Sequence, residues 1–196
     1  FMHPKERWID RYFMGTDPIQ NDNGYSKMAS AIWDAQFNTI AAVTNYRDPD
    51  HKHTYLQCML LGLYYKAKQS ESVPDLVESN LGTAYCDYKT YRGYGKDLVL
   101  RTELPSHLQG GQNEIGIDNR GKRNAFIINK MHELAEFYGD NIYIEDFWGQ
   151  LRYFVCTVTQ AGNETWGTQD VKKYFDDVLF ASVFAYICSI CYTHRP

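Results

Sequence analysis

Three places in this 196-residue sequence put a carboxylate beside residues that favour burial. Asp17 follows the apolar run Tyr12-Phe13-Met14 and precedes Pro18. Glu78 follows Leu76-Val77 and precedes Ser79-Asn80-Leu81-Gly82. Asp176 and Asp177 head the run Val178-Leu179-Phe180-Ala181-Ser182-Val183-Phe184-Ala185, which reads as a buried helix, apolar all round. Each acid has an ordinary explanation alone. Asp-Pro commonly starts a turn, a strand-end Glu is commonly a solvated charge, and acids in a first helical turn complement the helix dipole. Converging carboxylates, however, repel one another and are driven toward protonation unless cations neutralise them. An all-oxygen set selects hard ions, Mg²⁺ or Mn²⁺. Two such ions about 4 Å apart can activate a water and stabilise the leaving oxygen in phosphodiester hydrolysis. The sequence offers no rival catalytic set: it contains no H-E-x-x-H, nucleophile elbow or dinucleotide fingerprint, and no P-loop that would bind a nucleotide.

These acids share a site only if the chain delivers them to one edge of a sheet. Residues 11–16 read as a strand that stops at Asp17, because Pro18 cannot continue a central strand. A polar turn over 20–24 leads to strands over 27–35 and 39–45, and these close connections predict an antiparallel meander. Residues 47–53 are expected as a polar loop carrying solvated His51 and His53. Leu56, Leu60, Leu63 and Tyr64 recur at helical spacing and predict a helix over 54–68. A short strand over 76–78 follows Pro74. With a helix between it and the meander, it should run parallel to the first strand. Ligand sites in open α/β sheets gather outside the carboxyl ends of strands, where Asp17 and Glu78 would then lie together.

Further along, the pattern predicts a helix over 82–94, an extended run over 98–104 and a polar loop over 110–122. A helix over 124–138 should carry Phe126, Ile127, Met131, Leu134 and Phe137 on one side. A helix over 145–154, a hairpin of 155–159 with 164–167 around Gly162-Asn163, and a closing helix over 171–192 complete the series. Asp177 shares a stripe with Phe180, Ala181 and Phe184; the small Ala181 would let that helix approach the sheet closely beneath the carboxylate. The expected class is α/β, a mixed sheet of an antiparallel three-strand meander plus parallel strands, flanked by helices. That matches the RNase H-like arrangement, although the order also suits other α/β folds.

Composition narrows the partners. The formal net charge is −4, with 22% charged and 44% hydrophobic residues, so one core is expected and bulk charge does not attract nucleic acid. A polyanion would need a local basic patch, or metal ions that reverse the sign of an acidic site. Arg120, Lys122 and Arg123 form the densest basic loop, though an ordinary solvated turn explains them nearly as well. Lys89, Arg92 and Lys96 could flank the Glu78 side. Five cysteines, mostly in apolar runs, read as buried free thiols. Cys188-Ser189-Ile190-Cys191 has C-x-x-C spacing but no second pair. The apolar stretch 178–192 is too short to span a bilayer, and no signal peptide is seen. Residues 1–10 are expected to be a linker or an expression remnant, and 1–196 one domain.

At this point the motifs resemble a known family. Tyr12-Phe13-Met14-Gly15-Thr16-Asp17-Pro18 looks like the opening of the nuclease domain of tailed-phage large terminases, where a Gly-x-Asp-Pro-like segment supplies the first metal ligand. Val77-Glu78-Ser79-Asn80 with Gly82 is similar to that family's second acidic motif. Phe175-Asp176-Asp177-Val178-Leu179-Phe180-Ala181 resembles its Asp-Asp-x-x-x-Ala helix. Residues 115–128, with Gly121-Lys122-Arg123, look like the turn before its long helix. The resemblance covers nearly the whole chain in order.

It implies an RNase H-like, RuvC-type endonuclease that cuts concatemeric double-stranded viral DNA at the start and end of packaging. Two divalent cations, Mg²⁺ or Mn²⁺, would be held by Asp17, Glu78 and either Asp176 or Asp177, the latter favoured by its stripe with Ala181. Asp22 would be an extra acidic ligand, with Asn21 or Asn23 as candidates for the same place. The implied partners are DNA, a portal protein, a small terminase and the procapsid, in the cytoplasm of the infected bacterial host, with no membrane. The family's ATPase motor would lie in an N-terminal domain, so this part would cut but not translocate. Two other readings stand beside this one. The same fold could serve a RuvC-like junction resolvase or an RNase H-type nuclease. Alternatively, the chain is a non-catalytic portal or capsid docking module, which requires the acids to be apart in space.

Overall fold

The structure, a computed structural model, describes residues 1–4, 10–19, 26–66, 73–111, 114–158, 162, 164–170 and 173–192, apart from the side chains of Lys122 and Tyr192. Strands β1 (Tyr12–Asp17), β2 (Met28–Asp34) and β3 (Thr39–Tyr46) form the expected antiparallel meander. β4 (Asp75–Val77) adds to β1 in parallel, with Met14 opposite Asp75 and Thr16 opposite Val77. The sheet order is β3-β2-β1-β4. Because β2 alone is reversed, β1, β3 and β4 all end at the same edge.

Alternation of side chains divides β1 between two layers. Tyr12, Met14 and Thr16 face α1 (His51–Lys66) and α2 (Thr83–Tyr91). Phe13, Gly15 and Asp17 face the layer built from α3 (Lys122–Tyr138), α4 (Glu145–Leu151) and α5 (Asp177–Tyr192). α5 is the keystone of that layer: Val178, Leu179, Val183, Phe184 and Ile187 are all buried, each worth roughly 1.5–3 kcal/mol. It lies flush on β1 because Gly15 has no side chain. A Cβ there would run into the backbone of Ala181, Phe184 and Ala185. β5 (Phe154–Val158) and β6 (Glu164–Thr168) form a separate hairpin.

Several elements differ from expectation. α1 starts earlier, because the Asp50 carboxylate accepts the Lys52 N–H (3.0 Å) and caps it; His51 and His53 therefore sit in its first turn. Its buried face carries Tyr55, Cys58, Met59, Gly62 and Tyr65, whereas the Leu56-Leu60-Leu63-Tyr64 stripe faces outward, with Leu60 44% exposed. Residues 98–104 make only single bridges, Leu98 to Asp75 and Leu100 to Ile115, followed by a 3₁₀ turn closed by Glu103 on the Leu100 N–H (2.7 Å). Phe137 is exposed, and Tyr138 instead meets the rings of Trp33 and Tyr186. α4 ends at Leu151 and α5 begins at Asp177. Residues 1–4 contact the fold: the Met2 N–H donates to Ala41 O (2.7 Å), and His3 bonds the Tyr64 hydroxyl (2.8 Å).

The five cysteines are free thiols, four of them buried and Cys156 exposed. Among the described residues no helix is long and apolar enough to cross a membrane.

Candidate active site

The three strand ends and the start of α5 meet over a cleft of about 490 Å³ whose walls include Asp17, Glu78, Asp176 and Asp177. Each carboxylate has its own cause of placement. Asp17 is carried there by β1, which Pro18 stops. Glu78 follows β4, and its N–H donates to Thr16 O (3.0 Å), locking it beside the end of β1. Gly82 then lets the turn fold back, since a Cβ would strike the Glu78 carbonyl. Asp177 is the first residue of α5, and its Oδ2 accepts the Lys27 N–H from the start of β2 (3.2 Å). Asp176 caps the same helix end through its carbonyl, which accepts the Phe180 N–H (2.9 Å).

All four acids are held above the usual carboxylate range. Asp17 keeps part of its surface open to the cleft, yet is ringed closely enough to be desolvated. Burial raises it well above its ordinary value, and the charges of Glu78, Asp177 and Asp176 push the same way. A side-chain hydrogen bond couples Asp17 to Glu78, raising the first and lowering the second. Burial also raises Glu78, opposed by its bonds from Asp17 and from the Asn80 amide (3.1 Å). Burial raises Asp176, and it lifts Asp177 to about 7 against the Lys27 N–H.

Among the described residues, no three potential ligands already surround one point. The donor set still fits a hard cation. Mg²⁺ commonly takes one or two carboxylates and completes its shell with waters and substrate oxygens. A cation here would offset the mutual repulsion of these carboxylates.

No family model matches the sequence, and no curated protein does. Solved structures do match. The large terminase nuclease from thermophilic phage G20c is 15% identical, with a TM-score of 0.63 over 94% of this chain and 91% of that one. The large terminase nuclease domain of Thermus phage P74-26 is 14% identical, at 0.64 over 94% and 88%. The nuclease domain of the large terminase subunit of bacterial virus Sf6, solved with manganese and beta-thujaplicinol, is 11% identical, at 0.55 over 95% and 89%. This chain has the fold of a phage large terminase nuclease domain. The G20c nuclease has also been solved with bound magnesium.

On this terminase nuclease fold, the other expected site residues separate. Lys89 is a correction. It is 3% exposed, and its ammonium bonds the buried Asp75 carboxylate (2.7 Å), which also accepts from Thr16 (2.8 Å) and Tyr85 (3.2 Å). It balances a buried charge and cannot reach DNA. Arg92 and Lys96 are exposed but lie past the end of α2 remote from Glu78. Arg123 is bonded to Asp118 (3.3 Å) and to Gln109 O (2.9 Å). Arg120 is exposed and faces Asp118 (3.7 Å). It borders a second polar hollow beside Glu78, with Ser79 and Asn80, and its charge acts on Glu78. Asp22 and the Lys122 side chain lie outside the described residues.

Sequence reasoning missed Arg47, Asn119, Asn124 and Trp166, which also line the carboxylate cleft. Asn124 bonds Asn119 (2.8 Å), giving the cleft a polar wall at the start of α3. None of these four had a local signal. They reach the cleft through strand register and loop packing.

Proposed function

We propose that this chain is a metal-dependent endonuclease that cuts concatemeric double-stranded viral DNA during genome packaging, with Asp17, Glu78 and Asp177 as the principal metal ligands and Asp176 beside them. The observation that carries this reading is the set of four raised carboxylates lining one cleft on a terminase nuclease fold. So many acids gathered without a cation are an unfavourable arrangement, tolerated where function requires it. Two divalent ions would activate a water and stabilise the leaving oxygen of a phosphodiester.

The chain's own residues prepare the site for that chemistry. Asp17 and Glu78 would present carboxylate oxygens to the cations. The Asn80 amide holds one oxygen of the Glu78 carboxylate, and the Lys27 N–H holds Asp177 at the helix end. Asn119 and Asn124 offer neutral donors on the facing wall. The docking-module reading required the acids to be apart, whereas here Asp17 and Asp177 share one cleft.

The test is nicking of supercoiled plasmid in Mn²⁺ or Mg²⁺, compared with linear duplex, a four-way junction and an RNA–DNA hybrid. The parent should cut duplex DNA, and Asp17→Asn should lose at least about a hundredfold in rate. Undiminished cutting by Asp17→Asn would remove the assignment. Strong preference for the junction or the hybrid would replace the packaging role with a resolvase or RNase H role.

A further inference from the structure

We propose that Arg47 is a phosphate-contact residue that seats the DNA strand on the β3 side of the carboxylates, opposite Arg120. This rests on the nuclease reading and adds the path of the substrate. β1, β3 and β4 share a carboxyl edge, so Arg47, one residue beyond β3, emerges on the same line as Asp17 and Glu78. It lines the carboxylate cleft, and its guanidinium donates to the carbonyl of Ser26, another residue of the wall. That bond sets the group against the cleft, while a guanidinium carries five N–H donors in a planar fork suited to phosphate oxygens.

The far side of the row is built the same way. Ile117 bridges Glu78 in parallel, so residues 118–120 continue the edge beyond β4 and bring Arg120 there. Along this edge the order is Arg47, the start of β2, Asp17, Glu78, then Arg120. Strands about 4.8 Å apart make that span about 19 Å. At a rise of about 3.4 Å per nucleotide it accommodates about six nucleotides of one strand. A scissile phosphate at the carboxylates would then have flanking phosphates near a guanidinium on each side. Contacts of this kind position the duplex without reading its sequence.

The competing role for Arg47 is to neutralise the carboxylates, and it predicts different results. Binding of a labelled 30-base-pair duplex is followed by anisotropy in Ca²⁺ across salt concentrations for the parent, Arg47→Gln and Arg47→Lys. Mn²⁺ affinity and plasmid nicking are measured on the same samples, and thermal melting confirms that each variant is folded. Arg47→Gln should bind duplex roughly tenfold more weakly. Its salt slope should fall by about 0.9. Arg47→Lys should recover part of the affinity, and Mn²⁺ affinity should stay within about twofold. Parent-like duplex affinity and salt slope in Arg47→Gln, or an effect confined to Mn²⁺ affinity, overturns the assignment while the nuclease reading survives. A parent that neither binds nor cuts duplex DNA overturns the nuclease reading, and the Arg47 assignment with it.

Discussion

Asp177 titrates at about 7 because burial disfavours its charged form, and its ordinary value is 3.8. Between those values the folded chain keeps a proton that the unfolded chain has released. The stability of the metal-free protein must therefore fall as pH rises through this window and level off above it. Asp17 and Glu78 act in the same direction. The thermal midpoint in chelator should be roughly 5–10 °C lower at about pH 8 than at about pH 5. Asp177→Asn should flatten that dependence, and Mn²⁺ should raise the midpoint more at the higher pH, because ions and protons compete for the same oxygens. Midpoints independent of pH would contradict the raised values.

At the same scale, Lys89 tests the correction to the basic-patch expectation. Lys89→Met strips the buried Asp75 carboxylate of its counter-ion, and should cost about 3–5 kcal/mol in urea unfolding. The salt slope of duplex binding should not change in the folded fraction. Arg120→Gln should do the reverse, leaving stability within about 0.5 kcal/mol and lowering the slope.

The contact between β1 and α5 is the element-scale feature on which the site depends. Gly15→Ala places a methyl group against the backbone of Ala181 and Ala185. Overpacking of this kind typically costs about 1–3 kcal/mol. Here it should also move Asp177 relative to Asp17, so Mn²⁺-dependent nicking should fall by more than the stability loss explains. If the variant melts lower but cuts normally, the helix approach is structural only.

The same contact marks how far the sequence could be read. Pro18 ended β1 at the right residue, and Ala181 pointed to the close approach. The intervening helix gave the parallel direction of β4. α1 was harder, because it is apolar around most of its circumference. Period alone could not say that Tyr55, Cys58 and Gly62 face inward while Leu60 and Tyr64 face out. Residues 98–104 have strand-like composition, but Leu98 and Leu100 find only single bridging partners. All four acids stood out in the sequence because each of their three places touched an apolar run. Arg47 sits in a polar loop, and only the register of β2 with β3 brings it to the site.

Across the whole molecule, the net charge of −4 and the four acids in the cleft oppose a polyanionic ligand. Bound cations reverse that sign locally. Affinity for a short duplex should therefore be at least roughly tenfold higher in Ca²⁺ than in chelator. A simple basic DNA-binding surface would behave oppositely, since added cations would only screen it. Equal or weaker binding in Ca²⁺ would show that the duplex is held away from the carboxylates.

The hydrogen bond from Lys27 to Asp177 joins residues 150 positions apart. During synthesis at about 5–20 residues per second, the ribosome needs from under ten to about thirty seconds to make the second partner after the first. Asp17 and Glu78 thus emerge long before the helix that completes the cleft. A nascent chain stalled before α5 would carry Asp17, Glu78 and Asp176 but lack Asp177 and the helix that closes the cleft. On the proposed nuclease reading, the order of translation itself delays cutting until the fold is finished.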